Sequence, residues 1–290
     1  MIVNPISYPG NKNKLLSQII PELPDNCSTI IEVFCGSGVV SINSNINSIL
    51  LNDISIHAIN LLQYFYSTSF EVIISNVEKI IKDYKLTYTH KEGKNNYIEL
   101  KHEGLSNYNR SGYEKLKNDY NNCNDINKLI VLLIYGFNHY IRFNSKKQFN
   151  VPVGKVDLST SIYKNLKLFV NHIKSKKILF SNKDFRDTSL YQNKDAVYYF
   201  DPPYLITNAP YNNNWNIEDE IDLLNILDNL NEKGIKFLLS NVVLSNGKEN
   251  KLLKEWSKKY NTLVLKRQYR NANYQKKNIT DTIEVLIKNY

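Results

Sequence analysis

Cysteine is scarce in this chain. Cys27, Cys35 and Cys123 are the only three in 290 residues, and they form no close pair and no metal-ligand spacing. The five histidines show no ligand pattern either. A disulfide scaffold and a bound metal are therefore not expected. No three-glycine dinucleotide fingerprint occurs, which disfavours a nicotinamide cofactor. The longest apolar run, "LIVLLIYGF" at 129–137, is far too short to cross a bilayer. The opening "MIVNPISYPGNK" has no apolar signal core, and no segment repeats. These absences predict a soluble, reduced, cytoplasmic chain with no membrane partner.

Hydrophobic residues make up 42% of the chain, enough for a real core and too many for a disordered one. The formal net charge is +9, with local clusters at Lys146–Lys147, Lys174–Lys177, Lys258–Lys259, Lys266–Arg270 and Lys276–Lys277. A polyanionic partner, most simply nucleic acid, accounts for that balance. A lysine- and asparagine-rich composition inherited from AT-rich codons accounts for it equally well.

The order of elements says more. "TIIEVF" at 29–34 reads as a buried strand, and Gly36 and Gly38 mark a turn into a helix. "SILL" at 48–51 is a second short strand, ending near Asp53. From about 58 to 163 this alternation is interrupted. Helical patterns at 58–66, 69–83, 113–120 and 125–136 surround a polar loop near 90–112. "IRFNSKKQFNVP" then places two β-prone runs around a Ser-Lys-Lys turn, the pattern of a hairpin. A helix over 159–174 brings back the alternation. It continues with strands at 177–181, 196–200, 236–241, 262–266 and 282–287 and helices at 217–231 and 249–258.

Three stretches point to chemistry. In "YYFDPPY" at 198–204, Pro202 and Pro203 end a strand, because proline has no N–H for a ladder. They fix Asp201 and Tyr204 on a stiff turn where open α/β sheets bind ligands. An exocyclic amine on a nucleobase is a poor nucleophile, since its lone pair is delocalised into the ring. A carboxylate and a prolyl carbonyl can accept its two N–H hydrogens and draw the nitrogen toward tetrahedral geometry. Tyr204 can stack on such a base once it has left the duplex. In "EVFCGSG" at 32–38 the glycines let the backbone approach a ligand, and Asp53 past the next strand can accept ribose hydroxyls. A helix cap is the alternative role for Asp53, with the ligand role favoured. "YPGNK" at 8–12 by itself reads as an ordinary capped helix start; beside the other motifs, Tyr8 can pack on a ligand and Lys12 can neutralise a carboxylate. The hairpin groups Phe137, Asn138, Arg142 and Asn144. Arginine is the commonest reader of guanine in the major groove, and an aromatic can wedge into the gap left by a flipped base; taken alone, the stretch reads as a structural hairpin with a solvated arginine.

Taken together, "YPGNK", "EVFCGSG", an inserted block, "IRFN…FNVP" and "DPPY", in that order, resemble the Dam-type DNA adenine methyltransferases. "SNKDF" at 181–185, "LITNAPYNNNW" at 205–215, "SNV" at 240–242 and "TIEVLIKNY" at 282–290 extend the likeness over nearly the whole chain. Asn11-Lys12 stands where the family usually has Gly-Lys, and the block 84–125 departs from the short members that act on GATC.

The resemblance implies an α/β fold: a seven-stranded Rossmann-like core over 1–57 and 164–290. Into it is inserted a mainly helical target-recognition domain, 58–163, carrying the β-hairpin. It implies S-adenosylmethionine as cofactor, met by Tyr8, Lys12, Phe34, Gly36, Gly38, Asp53, Asp184, Phe185 and Asp201. Catalysis falls to Asp201, Pro202, Pro203 and Tyr204, acting on the 6-amino group of adenine without a metal. Double-stranded DNA is the implied partner, met by Phe137, Asn138, Arg142 and Asn144. Lys276 and Lys277, in the basic, tyrosine-containing segment "YRNANYQKK", suit phosphates. The expected setting is a restriction-modification system with a cognate endonuclease, or a phage or orphan methylase, and the expected state a monomer or weak dimer. Two rival readings are an RNA methyltransferase and a non-catalytic DNA-binding regulator on the same fold.

Overall fold

"AVYYF" forms a strand buried at every position, the mark of a strand covered on both faces. It is the middle strand of the sheet's main path. The computed structural model describes residues 1–4, 10–97, 104–207, 215–266 and 282–290. Its strands are β1 (Thr29–Glu32), β2 (Ser48–Asn52), β3 (Lys177–Ser181), β4 (Ala196–Phe200), β5 (Lys236–Ser245), β6 (Lys248–Glu249), β7 (Asn261–Leu265) and β8 (Ile283–Lys288). Seven of them run in the order β3-β2-β1-β4-β5-β8-β7, and β6 folds back on β5. The pairs from β3 to β5 are parallel, whereas β8 is antiparallel to both β5 and β7. In register, Ile31 faces Leu50 on one side and Tyr198 on the other.

The chain moves outward from β1 through β2 to β3, then crosses back to β4 on the other side of β1. The carboxyl ends of β1 and β4 therefore flank the point where the strand order reverses, and a crevice opens there in such sheets. The glycine turn and the "DPPY" turn follow those two ends. Helix α2 (Val39–Asn43) starts at Gly38, whose φ of 68° is left-handed. A Cβ there would lie 3.1 Å from Ile42 Cδ1 and 3.2 Å from Leu51 Cδ1, so a larger residue would strain the backbone and make these two side chains shift by a few tenths of an ångström. α1 (Leu16–Ile19) and α10 (Lys251–Trp256) are short. α9 (Ile217–Glu232) buries Leu223, Leu227 and Leu230 with Tyr198, Phe200 and Phe237 of the sheet.

Contacts divide the chain into two compact units, Lys12–Ile56 with Lys177–Tyr290, and Met1–Asn11 with His57–Lys176. The second unit is helical: α3 (Ile56–Ser67, all but its first residue in this unit), α4 (Phe70–Asp83), α5 (Thr89–Glu92), α6 (Ser106–Cys123), α7 (Ile126–Tyr135) and α8 (Thr160–Ile173). Side-chain caps start three of them: Ser69 for α4, Asp125 for α7 and Ser159 for α8. The apolar run Leu129–Tyr135 is buried throughout and forms the centre of this unit. α8 groups with these helices, with Tyr163 edge-on to Phe70 and Phe169 edge-on to Phe65.

Two sequence expectations need correction. The stretch 90–112 is not a plain polar loop, because α5 and the first turns of α6 lie in it. There the polar side chains are satisfied inside the protein: Asn109 is buried, accepting from Thr87 N at 2.8 Å and donating to Thr87 Oγ1 at 3.0 Å. The hairpin forms as an antiparallel turn rather than a pair of continuous strands. Only the bridges Gly136–Val153 and Phe143–Phe149 are made.

Candidate active site

Lys12 heads the site. Its side chain is buried, and its ammonium donates to Asp201 Oδ1 at 2.6 Å, Asp201 Oδ2 at 2.7 Å and Tyr204 Oη at 2.6 Å. The carboxylate that Lys12 meets is thus one of the protein's own. Tyr204 Oη lies 2.9 Å from Asp201 Oδ1 and 3.1 Å from Glu284 Oε1, and its single hydrogen can go to one of them at a time. Glu284, on β8, also lies 3.5 Å from the Lys12 ammonium. Burial pushes the Asp201 carboxyl up, against the pull of Lys12, while Glu284 adds to the rise. The Asp201 side chain keeps 19% exposure, so it still opens on the crevice. Tyr204 is buried, and its hydroxyl is driven well up by burial and by the two carboxylates.

The glycine turn is tied to the next strand. Gly36 N donates to Asp53 Oδ2 at 2.8 Å, and Ser55 N donates to Asp53 Oδ1 at 2.8 Å. Asp53 therefore both closes a turn ahead of α3 and braces the glycine turn. Each oxygen keeps a lone pair. Burial raises its pKa, opposed by those two N–H bonds. Asn52 bridges Val33 O and Lys183 O, and Asn182 reaches Asp53 O, so the ends of β1, β2 and β3 are laced together.

Phe34, Phe185 and Trp215 form an aromatic triangle, with centroids 5.4, 5.3 and 5.8 Å apart. Arg186 covers Phe185 at 4.3 Å and binds Asp184, Asp219 and Asp222. Asp184 itself is exposed, and its Oδ1 accepts the Arg186 N–H at 2.9 Å. Trp215 donates to Glu220, a buried carboxylate that also takes Asn241 and Asn250. Glu32, Glu284, Trp215 and Arg186 escaped the sequence reading, because only long-range contacts give them a role.

Glu32 ends β1 and is buried, with Oε2 accepting from Ser41 N at 3.0 Å. Desolvation, reinforced by the charges of Asp201 and Asp53, pushes its carboxyl up to about 8. A carboxyl with a higher pKa folded than unfolded holds its proton only in the native state. Its contribution is full below the unfolded value near ~4.3 and is lost as pH rises toward about 8. Wild-type protein should therefore lose roughly 4–5 kcal/mol over that window that Glu32→Gln does not lose. Urea denaturation of both proteins at either end of the window checks this, and parallel pH profiles would refute it.

In the helical unit, Phe137 and Asn138 are exposed, and Asn138 has a left-handed φ of 54°. Arg142 is exposed and donates Nε to Asn150 Oδ1 at 2.8 Å and Nη2 to Asn150 O at 2.9 Å. Asn144 pins the turn, its Oδ1 accepting from Lys146 N at 3.0 Å and Gln148 N at 2.9 Å. Phe143 stacks on His57 at 3.8 Å. Tyr8, Lys276 and Lys277 lie outside the described residues. Among the described residues no group of His, Cys, Asp and Glu is placed to hold a metal ion, and no helix is long and apolar enough to cross a membrane.

The sequence as a whole is similar to proteins of known kind. The type II methyltransferase M.FokI of Planomicrobium okeanokoites is 37% identical over 100% of this chain and 43% of its own length. The modification methylase StsI of Streptococcus sanguinis is 32% identical over 100% of the chain and 43% of its own length. A DNA adenine methylase of Haemophilus influenzae is 28% identical over 69% of the chain and 63% of the relative. The chain thus spans less than half the length of the first two. Residues 8–271 match the family profile of the D12 class N6 adenine-specific DNA methyltransferases. That match takes in the glycine turn, the hairpin and the "DPPY" turn, and the chain belongs to this family.

Proposed function

We propose that this chain transfers the methyl group of S-adenosylmethionine to the 6-amino group of an adenine in a short duplex DNA site. The observation that carries the reading is the Asp201 carboxylate. It is fixed by Lys12 and Tyr204 on a Pro-Pro turn, at the end of the strand beside the glycine turn.

The residues present fit the cofactor. Asp53 retains a lone pair on each oxygen for ribose hydroxyls, Gly36 and Gly38 bring bare backbone to the crevice, and three aromatic rings offer flat apolar surface. Bound S-adenosylmethionine supplies a methyl group already activated on a sulfonium. Asp53 would hold the ribose, Phe34, Gly36 and Gly38 the methionine side together with Lys12 and Tyr8, and Phe185 with Asp184 the adenine. Asp201 and the Pro202 carbonyl accept the two N–H hydrogens of the target amine, and Pro203 keeps the turn rigid. Tyr204 fixes the carboxylate through its hydroxyl and would stack on the base. Most of the rate comes from positioning and from acceptors already aimed at the amine.

The exposed Arg142, Phe137 and Asn138 support duplex DNA over RNA as substrate, since A-form grooves do not admit such readers. The names of the two longer relatives support a restriction-modification setting, with a cognate endonuclease as partner. Labelled methyl incorporation into duplex DNA and into RNA, with mapping of modified adenines in cells expressing the chain, tests the proposal. Label in RNA alone, or in neither, would sink it.

Asp53→Ala should weaken S-adenosylmethionine binding by on the order of ten- to a hundredfold, the worth of hydrogen bonds to a charged acceptor. Calorimetry with an unchanged dissociation constant would leave Asp53 only its turn-closing role.

A further inference from the structure

α9 grips the aromatic triangle from two sides. Asn216 starts the helix in a capping box with Asp219, and Trp215 stands one residue ahead of that cap. In the first two turns, Asp219 and Asp222 take the Arg186 guanidinium that covers Phe185. Between them Glu220, fully buried, accepts the Trp215 indole N–H on Oε2 at 2.8 Å. Its Oε1 accepts from Asn250 Nδ2 at 2.9 Å and from Asn241 Nδ2 at 3.2 Å. Burial pushes this carboxyl up, and the three N–H donors oppose the rise. Both asparagines are fixed in orientation. The Asn250 oxygen caps α10 by accepting from Leu253 N at 3.0 Å, and the Asn241 oxygen accepts from Val242 N at 2.7 Å. Each therefore turns its amide nitrogen to Glu220. Burying a carboxyl group among neutral donors is costly, and packing alone would be served as well by an apolar side chain.

We infer that Glu220 is a positioning residue for the cofactor's base: it fixes the Trp215 ring as a wall on which the adenine of S-adenosylmethionine packs. The inference rests on the S-adenosylmethionine reading above and adds Trp215 and Glu220 to the residues that reading assigns. An indole turns about two side-chain bonds. The N–H bond to Oε2 removes that freedom and holds the ring 5.8 Å from Phe34 and 5.3 Å from Phe185. Phe34 and Trp215 are only partly buried, which leaves ring surface for a ligand. Phe34 follows the end of β1, Asp53 the end of β2 and Phe185 the end of β3, and these strands are parallel. The rings therefore stand at the same end of the sheet as Asp53, the ribose acceptor of that reading.

Glu220→Gln separates this role from packing. Its one oxygen must stay with the two oriented asparagines, so its NH2 group faces the Trp215 N–H, donor against donor. Calorimetry on the purified chain without DNA should show S-adenosylmethionine and S-adenosylhomocysteine weakened alike, by about tenfold, since both carry the base. Trp215→Phe, which keeps a ring but has no N–H to place, should weaken both by a similar factor. In that background Glu220→Gln should bring no further loss. Trp215 and Trp256 are the only tryptophans, so quenching of emission by either ligand should occur in wild type and vanish in Trp215→Phe. Should Glu220→Gln fail to fold by its melting curve, Glu220→Asp, with the charge on a shorter stem, takes its place in the same cycle. Equal losses from the change at Glu220 in both backgrounds would reduce it to a structural hub. Unchanged affinity, or quenching that survives Trp215→Phe, would take Trp215 off the ligand. Wild-type protein that binds neither ligand would instead overturn the cofactor reading itself.

Discussion

Asp201→Ala should lower the single-turnover rate of methyl transfer by about a thousandfold or more, at saturating cofactor, with the fold intact. Removing one acceptor or donor aimed at developing charge commonly costs on the order of a hundred- to a thousandfold. Here one substitution removes more than an acceptor. The same carboxylate takes two hydrogen bonds from Lys12 and one from Tyr204, so both side chains lose the group that places them. Lys12 keeps Glu284 as a counter-ion at 3.5 Å, which spares the protein an isolated buried ammonium. Melting temperature should therefore move little compared with rate. Asp201→Asn, which retains one acceptor oxygen, should fall between alanine and wild type. A rate for Asp201→Ala within tenfold of wild type would show that the carboxylate does not act on the amine.

The parts of this site that lie on one short stretch of chain were legible in the sequence. "KILFS" and "AVYYF" are strands at 177–181 and 196–200, as expected, because apolar runs bounded by polar residues leave little choice of ends. The glycine turn and the "DPPY" turn declared themselves through glycine and proline, whose backbone limits are local. The first turns of α6 were hidden because Asn109 looks like a loop residue until Thr87 is placed beside it. Glu284 was hidden more completely. "TIEVLIKNY" reads only as a strand, and its glutamate matters because β8 enters antiparallel between β5 and β7 and faces Lys12 from the far end of the sequence. Trp215 joins Phe34 and Phe185 in the same way, through the fold and the Glu220 bond rather than through a motif. Lys12 was found but its partner was not, since spacing alone cannot tell a ligand's carboxylate from Asp201.

Arg142→Ala should erase discrimination at one base pair and leave the chemistry in place. Arg142 spends Nε–H and one Nη2 hydrogen on Asn150, across the hairpin. A guanidinium has five N–H donors, so Nη1 and the second Nη2 hydrogen are left along one edge. That edge has the spacing to meet guanine O6 and N7 together, the commonest specific contact in the major groove. Asn150 holds the stem while Asn144 closes the turn behind it, so the reader is stiff before DNA arrives. Alanine should therefore cost about 1–3 kcal/mol of preference at that base pair, and sites altered there should be methylated relatively better. Lys276→Ala or Lys277→Ala should instead weaken every sequence alike and reduce the salt slope by about one unit per lost phosphate contact. Methylation of a panel of single-base site variants at two salt concentrations separates the cases. If Arg142→Ala lowers activity on every variant by one common factor, the arginine anchors a phosphate or braces the hairpin, and the base-reading role falls.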